Sequence, residues 1–412
     1  MSKRVAPEIE TFARIRVVGV GGSGKNAINH MIESKVGGVE FIAVNSDAQD
    51  LHRSLAKRKI HIGKNLTRGL GTGMNPELGR RAAEETRQEI QEALSGSDMV
   101  FITCGMGGGT GTGASAIVAK IAKEVGALVI AVVTKPFAFE GAQRKEIAER
   151  GLAELKKEVD AFIVIPNDKL LAIVDKDTSA KNAFALCDEI LRQAVEGVSD
   201  IITTPGDINT DFNDIKAIME GAGPALMGIG IAEGDNRAKD AAQQAVNSPL
   251  LDVSISGAKG VLFVVAGSDD LGILEVQEAA KVVGESVDKN AKVIFGIMRD
   301  EKLKKGQVRI IVIATGFPES AVHASISASE RSLFAIPTEQ REDERGRIYH
   351  EILKREEKQE PKPEKIAPDI KEVKEEPIVT ATPQKREETE TPAVEDDEAW
   401  GAIPAFLRRH KK

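Results

Sequence analysis

Short apolar runs alternate with stretches of helical periodicity from residue 15 to about residue 200. The apolar runs are continuous and rich in valine and isoleucine, which is typical of parallel strands buried on both faces. The stretches between them predict amphipathic helices. This alternation indicates an α/β fold with a parallel sheet covered by helices on both sides. The predicted strands span residues 15–18, 40–44, 99–104, 127–133 and 161–165, and the predicted helices span residues 26–33, 76–94, 114–125 and 143–159.

A long helix follows, and a second series of elements begins after it. Residues 179–202 keep apolar positions at helical spacing, which predicts one continuous helix. Beyond Pro205 the pattern predicts a smaller α/β domain. Its last two strands, 292–298 and 308–313, flank a turn-like segment and are expected to form a hairpin-like edge. The other elements predicted there are helices at 211–220, 237–246 and 273–283 and strands at 225–231 and 261–265.

Charge is distributed unevenly along the 412 residues, whose net charge is −8. Residues 356–398 hold 15 acidic and 7 basic residues, with recurrent prolines and few large apolar side chains. Such a segment cannot bury enough apolar surface to fold, so we expect a disordered acidic linker. Residues 399–412 carry four Lys or Arg and no acid. The sequence therefore predicts a folded body, an acidic linker and a basic, partly apolar tip.

Composition excludes several classes of function. Aromatic residues are only 4% of the chain and the net charge is negative, so we expect no nucleic-acid partner. The longest apolar runs fall far short of the ~20 residues that span a bilayer, and the N-terminus lacks a signal-peptide core. We therefore expect no integral membrane segment and a cytoplasmic location. The histidines have no zinc-ligand spacing, and Cys104 and Cys187 are expected to be buried, reduced thiols.

The sequence G-V-G-G-S-G-K-N, from Gly19 to Asn26, follows the first predicted strand and opens a helix. It satisfies the dinucleotide fingerprint G-x-G-x-x-G and nearly satisfies the P-loop pattern, where Asn26 replaces the hydroxyl residue that holds Mg²⁺. Both patterns surround phosphate with backbone N–H groups at a helix N-terminus. Asp47, near the end of the second strand, could bind the ribose of NAD. This cluster alone leaves a nicotinamide cofactor and a nucleoside triphosphate open.

Two further glycine-rich loops favour a full triphosphate. G-M-G-G-G-T-G-T-G, from Gly105 to Gly113, lies between a strand and a helix, where six glycines in nine residues would be costly in chain entropy without a closely approaching ligand. G-L-G-T-G-M-N-P, from Gly69 to Pro76, also ends at a predicted helix N-terminus. Parallel sheets bind ligands at the carboxyl ends of their strands, so the three loops are expected to meet there.

The motif G-G-G-T-G-T-G resembles the signature of the tubulin and FtsZ family of GTPases, in particular its bacterial cell-division members. The resemblance covers about residues 15–315 and resumes at the C-terminal tip. Two rivals stay open: a Rossmann-type NAD-dependent oxidoreductase, and a tubulin relative that polymerises for another purpose such as shape control. The other segments that carry the resemblance are V-V-T-K-P-F-A-F-E-G (132–141), I-P-N-D-K-L (165–170), N-T-D-F-N-D (209–214) and N-S-P-L-L (247–251).

The resemblance implies GTP and GDP as ligands with Mg²⁺ on the phosphates, and the sequence identifies no protein ligand for the metal. Phe184 and Asp188 lie four residues apart, so one helical face can present both. Lys25 stands where relatives more often carry a small or uncharged residue, and it either contacts phosphate or extends to solvent; we expect solvent. The implied residues are Gly21, Gly22, Ser23, Gly24, Lys25 and Asn26 for the α- and β-phosphates, Gly107, Gly108, Gly109, Thr110, Gly111, Thr112, Thr72, Gly73 and Met74 for the remaining phosphates, Glu140 and Arg144 for the ribose region, and Asn167, Phe184 and Asp188 for guanine.

The carboxylates of N-T-D-F-N-D are the candidates for hydrolytic chemistry. Asp211 and Asp214 lie three residues apart, where acids commonly stabilise the first turn of a helix. The resemblance implies instead that they orient and polarise the attacking water on the next subunit's nucleotide, with Asn209 nearby. Hydrolysis would then require head-to-tail polymerisation into the filaments of the Z ring at mid-cell.

The tip A-W-G-A-I-P-A-F-L-R-R-H-K-K places large apolar residues before its basic run. From Ile403 the apolar positions fall on one face of a short helix, which favours docking into a partner's groove. The resemblance implies that membrane-tether and other division proteins bind this peptide, which holds filaments beneath the inner membrane. The predicted partner-binding residues are Trp400, Ile403, Pro404, Phe406, Leu407, Arg408 and Arg409.

These patterns together predict six segments in the chain. They are an N-terminal extension (1–12), a GTP-binding domain (13–178), a central helix (179–203), a C-terminal GTPase-activating domain (204–316), a largely disordered linker (317–398) and a partner-binding peptide (399–412).

Overall fold

The computed structural model describes residues 13–317 apart from 172–178, 204–210, 249–254, 256, 269, 301 and 302. Its described strands form one ten-stranded sheet in the order β3-β2-β1-β4-β5-β6-β7-β10-β8-β9. The strands are β1 (Ile15–Val20), β2 (Val39–Asn45), β3 (Arg58–His61), β4 (Met99–Gly105), β5 (Leu128–Lys135), β6 (Ala161–Pro166), β7 (Gly223–Glu233), β8 (Gly260–Gly267), β9 (Lys292–Arg299) and β10 (Gln307–Thr315).

Helices connect most of these strands, as the sequence pattern predicts. The described helices are α1 (Gly21–Glu33), α2 (Ala48–His52), α3 (Lys64–Thr67), α4 (Pro76–Glu85), α5 (Arg87–Leu94), α6 (Thr110–Glu124), α7 (Ala142–Glu158), α8 (Asn167–Leu170), α9 (Ala180–Thr203), α10 (Phe212–Met219), α11 (Arg237–Val246) and α12 (Ile273–Ser286), with a 3₁₀ turn at Ala138–Glu140. No helix of the described residues is both long and apolar enough to cross a membrane.

The sheet is mostly parallel and is buried on both faces, which confirms the predicted α/β class. Along β1 and β4, Val17 and Phe101 pack with α1 and α9 on one face. Their neighbours Val18 and Ile102 pack with α4, α5 and α6 on the other face. Because both faces are covered, the central strands need apolar residues at every position, which explains their continuous valine and isoleucine runs.

Because nearly all described strands run in the same direction, the two ends of the strands define two different sides of the sheet. β7 runs parallel to β6, β10 runs antiparallel to both β7 and β8, and β9 runs parallel to β8. Every described strand except β10 therefore points the same way. The edge at which these strands end is called the carboxyl edge below, and the edge at which they begin is called the amino edge.

The predicted hairpin between the last two strands is wrong. β10 lies between β7 and β8, and β9 pairs with β8 at the border of the sheet. β10 is almost wholly buried, whereas the first residues of β9 are exposed. A strand buried on both faces gains most from two neighbours, while a half-exposed strand suits an edge. The local turn signal carried no information about this pairing.

Several elements and boundaries also differ from the sequence pattern. The helix predicted at 76–94 is two helices, which meet at Thr86, and strand β3 was not predicted. More important for function, α1 begins at Gly21 and α6 at Thr110, four or five residues before their predicted starts. The glycine clusters thus form the first helical turns themselves.

Candidate functional site

Two helix N-termini meet at the carboxyl edge of the sheet. Helix α1 begins directly after β1, and α6 begins after the glycine-rich loop that follows β4. Neither helix has an acidic residue in its first turn or a side chain that caps it. The positive ends of both helix dipoles are therefore left without a carboxylate of their own, an arrangement that favours a bound anion.

The glycines divide into those that pack the loops together and those that face open space. A Cβ on Gly113 would meet the Pro76 carbonyl, and a Cβ on Gly109 would meet Thr72. A Cβ on Gly24 would meet the Thr103 carbonyl. Gly108 and Gly73, by contrast, have no heavy atom within 4 Å of an added Cβ. Gly24, Gly109 and Gly113 thus allow backbone segments to pack closely, whereas Gly73 and Gly108 leave open space beside the loops.

A cleft of about 400 Å³ opens between these loops and helix α9. A second cleft, of about 570 Å³, adjoins it and shares Gly22, Thr72, Arg144 and the loop 108–110 with it. The predicted residues that line the first cleft are Gly22, Ser23, Asn26, Thr72, Gly108, Gly109, Thr110, Gly111, Glu140, Arg144, Asn167, Phe184 and Asp188. Gly73 and Met74 line only the second cleft, called the terminal cleft below.

Hydroxyl groups join three loops around the first cleft. Thr110 Oγ1 lies 2.6 Å from Ser46 Oγ and 3.1 Å from Thr72 Oγ1. Thr112 Oγ1 accepts a hydrogen bond of 2.9 Å from the Gly107 N–H. Neither Thr112 nor Gly107, Gly21 or Gly24 lines either cleft. These four predicted binding residues lie in the loops themselves, next to residues that line the clefts.

The end of the first cleft beside α9 is equipped to recognise a ring with N–H donors. Asn167 Oδ1 is buried and has no hydrogen-bond partner among the described residues. Burial raises the pKa of the Asp188 carboxyl to about 6, although the positive charges of His30 and Lys25 lower it. Phe184 is 44% exposed and packs edge-on against Phe137 at 5.3 Å. An exposed aromatic ring and two acceptors match the stacking and hydrogen bonding that guanine requires.

Glu140 and Arg144 form a preorganised pair at the rim of the cleft. Arg144 donates to Glu140 Oε2 at 2.6 Å, and the Phe137 N–H donates to Glu140 Oε1 at 2.9 Å. The carboxylate is 15% exposed, while the guanidinium-bearing side chain is 40% exposed. The buried carboxylate therefore holds a partly free cation beside both clefts, where it can meet an anionic ligand.

Asp211 and Asp214 lie far from these clefts, at the amino edge. Asp211 caps α10 by accepting from the Asn213 N–H, and Asp214 Oδ1 lies 3.9 Å from Lys292 Nζ. Lys292 is the first residue of β9 and pairs with Gly260, the first residue of β8. Both aspartates are exposed. Asn209 lies outside the described residues.

Comparisons with known proteins decide between a nicotinamide cofactor and a guanine nucleotide. The family model described as "Tubulin/FtsZ family, GTPase domain" matches residues 14–175, and "FtsZ family, C-terminal domain" matches residues 223–318. An FtsZ dimer structure from M. jannaschii is 48% identical, with a TM-score of 0.72, and the match covers 74% of this chain and 89% of that chain. The chain belongs to the Tubulin/FtsZ family. It is accordingly a guanine-nucleotide-binding GTPase, and the dinucleotide interpretation of the first glycine cluster is wrong.

A more distant member of the same fold is also similar. CetZ2 from Haloferax volcanii, solved as a GTPγS-bound protofilament, is 22% identical with a TM-score of 0.65. The match covers 78% of this chain and 98% of that chain. At 22% identity, this similarity is evidence for a shared fold only.

The Lys25 side chain does not extend to solvent, which is the position that we expect from the sequence. Its side chain is only 8% exposed, and its Nζ donates to Asp50 Oδ1 at 2.7 Å. Asn45 Nδ2 donates to the other carboxylate oxygen at 2.8 Å. Burial of an ammonium group is costly unless it is paired with an anion, and Asp50 supplies that anion. Sequence reasoning missed Asp50 and Asn45, because nothing in the local pattern links residue 25 to residue 50.

The remaining predictions concern cysteine, metal and the C-terminal tip. Cys104 and Cys187 are buried as expected, and burial raises the pKa of each thiol to about 12. Within the described part of the chain, no group of three or more His, Cys, Asp or Glu is placed to hold a metal ion. Of the predicted linker, 317–398, only Phe317 is among the described residues, where it is buried, and the tip lies outside them.

Proposed function

We propose that this GTPase assembles head to tail, so that each GTP site is completed by the next subunit. The observation that carries the proposal is the separation of the two candidate halves of the active site. The clefts lie at the carboxyl edge of the sheet, whereas Asp211 and Asp214 are exposed at the amino edge. Translation of one subunit along the strand direction brings these two edges together.

The chemistry assigned to each half follows from its groups. The carboxyl edge binds GTP: the α1 and α6 N-termini hold the phosphates, and Asn167, Phe184 and Asp188 hold guanine. Asp211 and Asp214, with Asn209, orient and polarise the water that attacks the γ-phosphate of the neighbouring subunit's GTP. Bond cleavage then yields GDP and phosphate.

Mg²⁺ is the metal that this family implies, and the terminal cleft fits it. Asp47 and Gln49 line that cleft and offer the oxygen ligands that Mg²⁺ prefers alongside phosphate. When bound, the ion would neutralise charge on the β- and γ-phosphates. The protein's own contribution is to hold these oxygen atoms beside the phosphates.

Self-association of a relative supports the head-to-tail arrangement, since the M. jannaschii FtsZ structure is a dimer. We propose further that the filaments form the Z ring in the cytoplasm beneath the inner membrane. In this proposal the tip around Trp400 and Phe406 binds membrane-tether and other division proteins. The basic apolar composition of the tip supports this role, because such peptides fold into a partner's groove.

The test combines light scattering with phosphate release in the presence of GTP, GDP or NAD. We expect GTP alone to drive assembly, with hydrolysis per subunit rising steeply above a threshold protein concentration. Hydrolysis at a constant rate per subunit, independent of concentration, would contradict a site completed in trans. Deletion of 403–412 is the matched control, because it should leave assembly intact and abolish recruitment by a membrane tether. Normal recruitment without the tip would contradict the division-ring proposal.

A further inference from the structure

A buried cation lies beneath the phosphate-binding loops, and its partner faces the terminal cleft. Lys25 follows the first turn of α1, and its Nζ and Asn45 Nδ2 occupy both oxygens of the Asp50 carboxylate. Asp50 also donates its backbone N–H to Asp47 Oδ1 at 2.9 Å. One cluster therefore holds two carboxylates and a single ammonium.

This cluster is close to where the end of the triphosphate would lie. Asp47 and Asp50 line the terminal cleft together with Gly73 and Gly108. A Cβ added to Gly22, in the phosphate loop, would lie 3.5 Å from Asp50 Oδ2. A free carboxylate that lines the cleft would repel a polyanion bound there, because like charges a few ångströms apart interact strongly when they are partly buried. Binding of the γ-phosphate therefore needs the charge of Asp50 to be compensated.

We propose that Lys25 is a specificity-determining, positioning residue, which neutralises Asp50 so that the terminal cleft accepts the γ-phosphate of GTP. The inference rests on the proposed placement of the triphosphate, with its end in the terminal cleft. Lys25 acts through Asp50 and does not itself touch the nucleotide. GDP lacks the γ-phosphate, so its binding depends far less on this pair.

A double-mutant cycle tests this role. The dissociation constants of GTP and GDP are measured for the full-length wild type, Lys25→Met, Asp50→Asn and the double variant, with Mg²⁺ in fixed excess. The assay is run at pH 8, well above the pKa of about 6 of Asp188, a carboxyl that Lys25 also influences. Lys25→Met should weaken GTP binding about ten- to hundredfold and GDP binding less than about threefold. The double variant, Lys25→Met with Asp50→Asn, should have a dissociation constant for GTP within about threefold of the wild-type value.

Each other outcome overturns the proposal. Equal loss of GTP and GDP binding in Lys25→Met would show a purely structural ion pair. Loss of GTP binding that Asp50→Asn does not rescue would show that Lys25 contacts phosphate directly. If Lys25→Met does not fold, the Asp50→Asn variant alone tests the proposal. Its preference for GTP over GDP should be greater than that of the wild type, and a smaller preference would contradict the proposed role of Lys25. Failure of the wild type to bind any guanine nucleotide would instead refute the proposed function.

Discussion

Helix N-termini lie at both edges of the sheet, but the charges placed at them differ. At the carboxyl edge, α1 and α6 begin with glycines and carry no acid in their first turns. At the amino edge, α10 begins with the capping carboxylate of Asp211 and has Asp214 in its first turn. A helix N-terminus attracts negative charge, so the first two helices leave room for an external anion, whereas α10 supplies its own. The carboxyl edge is therefore suited to an external anion, whereas the amino edge presents its carboxylates outward.

Removal of a carboxylate from the amino edge is the strongest test of this difference between the two edges. Asp214→Ala should lower GTP hydrolysis by about 10²–10⁴-fold, the usual contribution of a group that orients or deprotonates water. GTP affinity of dilute subunits should not change, because the residue lies at the edge opposite the clefts. Phosphate release and equilibrium nucleotide binding are the two measurements. Asp211→Asn is the companion variant, because asparagine preserves the helix cap. Reduced GTP affinity in dilute Asp214→Ala would contradict the separation of the edges.

At the carboxyl edge, two alanine substitutions distinguish packing glycines from ligand-facing ones. Gly113→Ala should destabilise the fold by about 2 kcal/mol, because its Cβ would collide with the Pro76 carbonyl between α4 and α6. Gly108→Ala should leave the thermal unfolding temperature unchanged and weaken GTP binding about tenfold, because its Cβ would enter the cleft. Calorimetry and nucleotide titration measure the two effects. The division of the signature would be wrong if Gly108→Ala were the less stable variant.

The smallest expected effect concerns Asp188. Burial raises the pKa of this carboxyl to about 6 in the nucleotide-free protein, and in the proposed site only the ionised form can accept hydrogen bonds from two guanine N–H groups with both oxygens. GTP affinity should therefore be constant above about pH 7 and fall up to about tenfold for each pH unit below 6. Asp188→Asn should bind more weakly at pH 8 and lack this pH dependence. A titration in which wild type and Asp188→Asn show the same slope would contradict the assignment.

Much of the fold was predictable because local patterns determine it. Helix α11 has the predicted bounds, Arg237–Val246, since its apolar face is regular and asparagines, Asn236 and Asn247, flank it. The starts of α1 and α6 were missed because glycine has low intrinsic helix propensity, and here tertiary packing overrides it. The position of β10 between β7 and β8 is a long-range pairing that no local signal encodes.

The candidate site was predictable in its loops but not in the contacts between them. The glycine clusters indicated a phosphate site from sequence alone. The ion pair of Lys25 with Asp50 joins residues 25 positions apart, and the unpaired Asn167 oxygen depends on burial, which spacing does not reveal. Thr112 is predicted to bind phosphate, and the structure adds that its hydroxyl accepts a hydrogen bond from the Gly107 N–H within the loop, a contact that the spacing does not reveal.

Completion of the active site by a neighbouring subunit is tested most directly by mixing two inactive variants. Asp214→Ala keeps its nucleotide clefts, and Gly108→Leu keeps its carboxylates but has a side chain in the cleft. Each alone should hydrolyse GTP at a small fraction of the wild-type rate. Their equimolar mixture should recover about a quarter of that rate, since random head-to-tail mixing makes that share of junctions productive. Mixtures that sediment together as filaments yet release no more phosphate than either variant alone would contradict the account.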